Sequence, residues 1–151
     1  MKHTHVSLRV HCVFTTKGRV PSIPDELQPR LWAFIGGIAR RLGMKAIAVG
    51  GVQDHVHILL LLPATIVLAK AVQALKANSS RWLHEVTSRQ FEWQEGYAAF
   101  SVSISQTGAI VAYIRKQREH YARRGFDEEL ARMLEKHGLE AEFCRPWRDS
   151  A

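Results

Sequence analysis

Cysteine is scarce in this chain: there are two in 151 residues, Cys12 and Cys144, far apart and in no metal-ligand spacing. That argues against a disulfide scaffold and points to a reduced, cytoplasmic protein in which both thiols are inert. Membrane signals are missing as well. The N-terminus from Met1 to Val6 lacks the continuous apolar core of a signal peptide. The apolar run from Ile58 to Leu62 stops at Pro63 and is far too short to span a bilayer. No internal repeat, low-complexity segment or linker appears, so the expectation is one domain over residues 1–151. Acidic residues are outnumbered: 14 Asp+Glu against 21 Lys+Arg leave a net charge of +7. A surplus of that sign favours a polyanionic partner, nucleic acid before an anionic membrane surface.

What is present patterns as alternating elements. Val6 to Phe14 alternates as a first strand, followed by a basic turn from Thr15 to Pro21. Pro24-Asp25 opens a helix with an apolar stripe of Leu27, Leu31, Phe34, Ile35, Ile38 and Leu42, and Gly43 ends it. Lys45 to Gly51 reads as a second strand, where Gly50-Gly51 marks a tight turn, a bulge or a close backbone approach. Gln53 to Leu62 is the third strand. Ala64-Thr65 then caps a long helix through Ile66, Leu68, Ala69, Val72, Leu75, Trp82 and Leu83. Tyr97 to Ile104 makes a fourth strand, and Ser105 caps a helix from about Gln106 to Arg124. Asp127-Glu128-Glu129 starts a last short helix that ends near His137-Gly138. The predicted fold class is α+β: a ferredoxin-like split βαβ with a four-stranded antiparallel sheet and extra C-terminal helices.

Two constellations carry chemistry. The first is His55-Val56-His57 on the third strand. Side chains at i and i+2 share one face of a strand, about 7 Å apart at Cα, so these imidazoles project together and can share a metal ion. A hydrogen-bonded pair is the commoner role of such a triplet, and alone it names neither a metal nor a reaction. The second is Tyr113 with Gln117, spaced i, i+4 on one helical face. Tyr113 offers a phenolic nucleophile and Gln117 a neutral carbonyl oxygen suited to Mg²⁺ or Mn²⁺. Arg115, Lys116, Arg118, Arg123 and Arg124 surround them, which suits phosphate or a merely solvated basic face. His3, His5, His11, His84 and His137 are scattered and expected in surface or core roles, and Trp32, Trp82, Trp93 and Trp147 in packing.

Taken together, these blocks resemble a family. The chain is similar to the single-tyrosine transposases of the HUH endonuclease superfamily, of the IS200-like type, encoded by small bacterial insertion sequences. His-hydrophobic-His is His55-Val56-His57 here. The likeness runs from His11-Cys12-Val13-Phe14-Thr15-Thr16-Lys17 through Asp54 to Leu59 and Leu75 to Ser80. It continues through Trp93 to Ser103, Tyr113 to His120 and Phe126 to Leu139. Tyr121 departs from it, standing where members often have a second His.

The resemblance implies a DNA transposase: metal-dependent cleavage and rejoining of single-stranded DNA by transesterification through a 5′-phosphotyrosine. It assigns Tyr113 as the catalytic nucleophile and His55, His57 and Gln117 as ligands of Mg²⁺ or Mn²⁺. Two imidazoles alone would suit Zn²⁺ or Mn²⁺ better, so the choice of metal comes from the family. It also implies single-stranded DNA with hairpin ends as partner, and a homodimer whose Tyr113 serves its own or the other subunit. Candidates for phosphate contact are Lys17, Arg19, Lys70, Lys76, Arg81, Arg115, Lys116 and Arg118. The rival readings are a domesticated relative that processes repeated extragenic palindromes and a non-catalytic basic nucleic-acid-binding module. A replication-initiator nickase fits less well, since such proteins usually carry added domains.

Overall fold

A computed structural model describes residues 3–119 and 125–139 of the chain. Four strands, β1 (Leu8–Thr15), β2 (Lys45–Gly51), β3 (His55–Leu62) and β4 (Ala98–Val102), form one sheet in the order β2-β3-β1-β4. Each neighbouring pair is antiparallel. Helix α1 (Gln28–Arg41) joins β1 to β2, and α2 (Leu68–Thr87) joins β3 to β4. Helices α3 (Thr107–Arg115) and α4 (Phe126–Lys136) follow. This is the α+β, four-stranded arrangement that the sequence predicts.

Strand alternation explains the layering. On one face of the sheet, Cys12 and Phe14 of β1 and Val56, Ile58, Leu60 and Leu62 of β3 pack against Leu31, Ile35 and Ile38 of α1 and Val72, Leu75 and Leu83 of α2. On the other face, Val13 and Phe100 meet Phe126, Leu130 and Leu134 of α4. Ala48 and Leu59 meet Ile114 of α3. Because both faces are covered, β3 reads as a nearly continuous apolar run, and the two histidines interrupt it on the α3–α4 side only.

Element ends differ from the sequence expectation in instructive ways. A 3-10 turn at Asp25–Leu27 precedes α1, and Gly43 at φ +79° closes it, as a glycine past a helix end should. Helix α2 starts at Leu68, with Val67 extended at its N-cap, and not at Ala64-Thr65. A 3-10 turn at Ile104–Gln106 replaces the Ser105 cap, and the Ser105 hydroxyl bonds to Ser103 instead. The helix predicted over 106–124 breaks at Lys116, whose N–H still reaches Ala112 O and Tyr113 O. Residues 117–119 are helical again. His120, Tyr121, Arg123, Arg124, Cys144 and Trp147 lie outside the described residues.

No helix among the described residues is long and apolar enough to cross a membrane.

Candidate metal and nucleophile site

The site is built on the α3–α4 face of β3. His55 and His57 are fully buried, their rings 5.2 Å apart and steeply inclined. Register brings a third histidine beside them. His11 pairs with Leu59, which makes it the diagonal neighbour of His57 across the β1–β3 ladder. Its Nε2 lies 2.8 Å from His57 Nδ1. Burial, then His137, pushes the His11 imidazole down to about 4, so it is neutral at physiological pH. His11 thus has the core role expected of it, but within the site.

Each site histidine is oriented through Nδ1. His55 Nδ1 lies 2.7 Å from Asp54 Oδ1, and His57 Nδ1 meets His11. Such outer partners fix ring orientation and turn Nε2 toward the centre. Around that centre stand Gln117, with Oε1 3.1 Å from His55 Nε2, and Glu129 of α4. The Glu129 carboxylate is 3.7 Å from His57 Nε2 through Oε1 and 4.0 Å from His55 Nε2 through Oε2. It accepts hydrogen bonds at Oε1 from the Tyr113 hydroxyl and from Gln117 Nε2. The Tyr113 ring lies 5.6 Å from that of His57. Burial pushes the Glu129 carboxyl up; His55 pulls it down, and Asp54 raises it further.

Gly50 makes this approach feasible. It pairs with His57 on β2, and a Cβ there would collide with the Ile114 carbonyl of α3. Gly51 is similarly crowded by the His55 carbonyl. The close-approach reading of this pair is the one the structure supports, and it sets Tyr113, next to Ile114, over the histidines.

The donor set fits a divalent cation. One atom each from His55, His57 and Glu129 lie within 4.8 Å of one another. Gln117 Oε1, 3.1 Å from His55 Nε2, is close enough to share a cation with it. Both ring nitrogens of His55 face an oxygen, Asp54 Oδ1 at 2.7 Å and Gln117 Oε1 at 3.1 Å. With Asp54 held at Nδ1, Nε2 and Gln117 Oε1 are the atoms of this pair that would serve as ligands. Glu129 Oε2, buried, accepts no hydrogen bond among the described residues. Its negative charge hardens a set that two imidazoles alone would leave soft.

Of the residues singled out from sequence, His55, His57, Tyr113 and Gln117 converge here, all from one chain. The basic candidates do not. Arg19 bonds to Asp127 at 2.9 Å, nears Asp54 at 3.9 Å and lies over the Phe126 ring, tying the turn after β1 to the start of α4. Lys17 pairs with Glu92 at 2.9 Å. Lys76 donates to the carbonyls of Gln94 and Gly96, and burial brings its ammonium down to about 8. Lys70 and Arg81 are exposed on α2, on the opposite side of the sheet. Arg115 and Lys116 are exposed at the end of α3, and Arg118 donates to Gln28 Oε1 at 3.0 Å. Sequence reasoning missed Glu129 as a site residue and left His11 outside it.

A family model described as "Transposase IS200 like" matches residues 4–117. The chain belongs to that transposase family. No curated protein matches it. Among solved structures, this transposase is similar to a protein assigned as a transposase from Deinococcus radiodurans R1. The identity is 27%, the TM-score 0.62, and the match covers 76% of this chain and 95% of that one. It is also similar to the REP-associated tyrosine transposase bound to a REP hairpin, with a TM-score of 0.56 over 83% of this chain and 74% of that one. At 13% identity, that second likeness speaks for the fold alone. Both the family and the α+β fold agree with what the sequence resembles.

Proposed function

We propose that this transposase cleaves and rejoins single-stranded DNA by transesterification, with Tyr113 as nucleophile and a divalent ion, Mg²⁺ or Mn²⁺, at His55, His57 and Gln117. The observation that carries the reading is the convergence of a phenol, two imidazoles, an amide oxygen and a buried carboxylate at one point. Glu129 joins the ligand set in this reading. A bound ion there supplies Lewis-acid polarisation of the scissile phosphate and offsets charge on the leaving oxygen.

The chain's own groups do the rest. Glu129 Oε1 accepts the Tyr113 hydrogen bond, aims the phenolic oxygen and takes its proton. The Tyr113 oxygen attacks phosphorus in line. The bond from phosphorus to the 3′ oxygen breaks, leaving a 5′-phosphotyrosine and a free 3′-OH once that oxygen is protonated. A second 3′-OH then attacks the linkage, displaces Tyr113 and rejoins DNA. The phosphodiester energy is kept in the covalent bond, in keeping with the absence of a P-loop. His11 and Asp54 act as positioning residues through the two imidazoles.

Hairpin-ended single-stranded DNA is the proposed partner, in the cytoplasm. Of the basic candidates, Arg115 and Lys116, exposed at the end of α3, stand nearest the site without an ion pair among the described residues; Lys17, Arg19, Lys76 and Arg118 are paired within the chain, and Lys70 and Arg81 face away from it. A homodimer is part of the reading, although the catalytic groups here come from one chain; light scattering should give twice the 17.1 kDa chain mass, and a clean monomer would contradict it.

The test uses oligonucleotides from the DNA on either side of the gene, with Mn²⁺. Wild type should form a covalent adduct that EDTA abolishes. Tyr113→Phe should bind the same DNA and form none. An undiminished adduct in that variant would move the nucleophile elsewhere, with Tyr97 and Tyr121 next. DNA binding without any adduct in wild type would favour the non-catalytic module.

A further inference from the structure

A cavity of about 230 Å³ opens between α3 and α4, and its lining includes both Tyr113 and Glu129. The other site groups are closed off: His55 and His57 are fully buried and Gln117 is 1% exposed. A phosphodiester that is to meet the Tyr113 oxygen therefore has an approach through this cleft, and whatever lines it touches the nucleotide. Two chemistries line it. The floor is apolar and aromatic: Ile110, Met133 and the rings of His11 and Tyr113, 6.2 Å apart and edge-on. The rim is cationic: Arg132 and Lys136.

The sequence places those cations on the same face of α4 as the catalytic carboxylate. Glu129, Arg132, Met133 and Lys136 are spaced i, i+3, i+4 and i+7, so they share one side of the helix. Glu129 is directed into the site, and Arg132 and Lys136 are exposed, about 6 Å apart along the axis. Neither forms an ion pair among the described residues, in contrast to Arg19 and Arg118. His137 closes the far wall, its Nδ1 2.7 Å from Met133 O and its ring 4.5 Å from Phe100.

We propose that this cleft seats the nucleotide adjoining the scissile phosphate, with sugar and base against Met133, Ile110 and His11, and with Arg132 and Lys136 on the flanking backbone phosphates. The proposal rests on the strand-transfer reading and adds to it a substrate subsite on α4. It gives α4 two tasks, orienting Tyr113 through Glu129 and holding the strand through the next two turns.

The test compares two double variants. Arg132→Ala with Lys136→Ala removes the rim; Arg40→Ala with Arg41→Ala removes equal charge from the exposed end of α1, on the other side of the sheet. Binding of fluorescein-labelled single-stranded oligonucleotides from the gene's flanks is followed against salt. The rim variant should lower the slope of log affinity against log salt by about 1.4, at roughly 0.7 per phosphate contact on single strands. It should also slow adduct formation at limiting DNA. The α1 variant should change the slope much less. Met133→Trp, which fills the cleft, should weaken binding with an unchanged circular dichroism spectrum. Equal slope changes in both double variants, or none in the rim variant, would overturn the proposal. If wild type forms no adduct on these oligonucleotides, the strand-transfer reading fails, and the slopes still decide whether the cleft holds single-stranded DNA.

Discussion

Glu129 is 6% exposed among two imidazoles, an amide and a phenol, where a lone negative charge is costly without a cation or a proton. Replacing it by Gln removes the charge and keeps the shape. Calorimetric Mn²⁺ affinity should fall at least about tenfold with the fold intact; an unchanged affinity would remove Glu129 from the ligand set. Cys12 shows burial acting on a thiol. Desolvation pushes it up to about 12, so at pH 8 only about one molecule in 10⁴ carries the thiolate. In a Cys144→Ser background, DTNB at pH 8 should not react until the protein is unfolded, and prompt native labelling would contradict the burial. Scarcity alone suggests an inert thiol, and burial gives the physical reason. His55, His57, Tyr113 and Gln117 were legible because strand and helix periodicity act within short segments. Glu129 was not. It sits in Asp127-Glu128-Glu129, an acidic first turn that helix-dipole compensation explains without a site. Only the packing of α4 on the sheet selects the third of the three. His11 was hidden for a related reason, since its place beside His57 depends on the β1–β3 register.

At the scale of elements, the seating of α3 on β2 decides whether Tyr113 reaches the histidines. Gly50→Val would drive side-chain atoms into the Ile114 carbonyl, and the helix would have to lift. The expected cost is about 1–3 kcal/mol in urea unfolding, together with loss of the DNA adduct. A variant of wild-type stability and activity would show that the contact does not position α3. The Gly50-Gly51 pair announced itself in the sequence, although its partner did not. The break at Lys116 had no such announcement. Helical periodicity runs through Arg115-Lys116-Gln117-Arg118, and no Gly or Pro interrupts it. The break is set by tertiary contacts on its far side, where Gln117 turns inward to His55 and Glu129 and Arg118 reaches Gln28. Local propensity is outweighed there by a buried polar network.

For the whole molecule, the larger apolar core and the candidate site lie on opposite faces of the same strands. Leu60 is fully buried in the α1–α2 core, two residues beyond Ile58 and on the side away from the histidines. Leu60→Ala should cost about 2–5 kcal/mol of unfolding free energy while leaving the Mn²⁺ affinity of the remaining folded protein unchanged. A coupled loss of metal affinity would mean that the faces are not independent. The element order and the four-stranded sheet were legible because each strand and helix carries its own periodicity. The division of labour between the faces was not, because β3, covered on both sides, reads as one apolar run.

The account turns on the Tyr113 oxygen meeting a DNA phosphate. Mass spectrometry of peptides from the protein incubated with Mn²⁺ and single-stranded DNA from its gene's flanks tests this most directly. The account predicts a 5′-linked nucleotide on the peptide carrying Tyr113. A nucleotide on any other residue would contradict it.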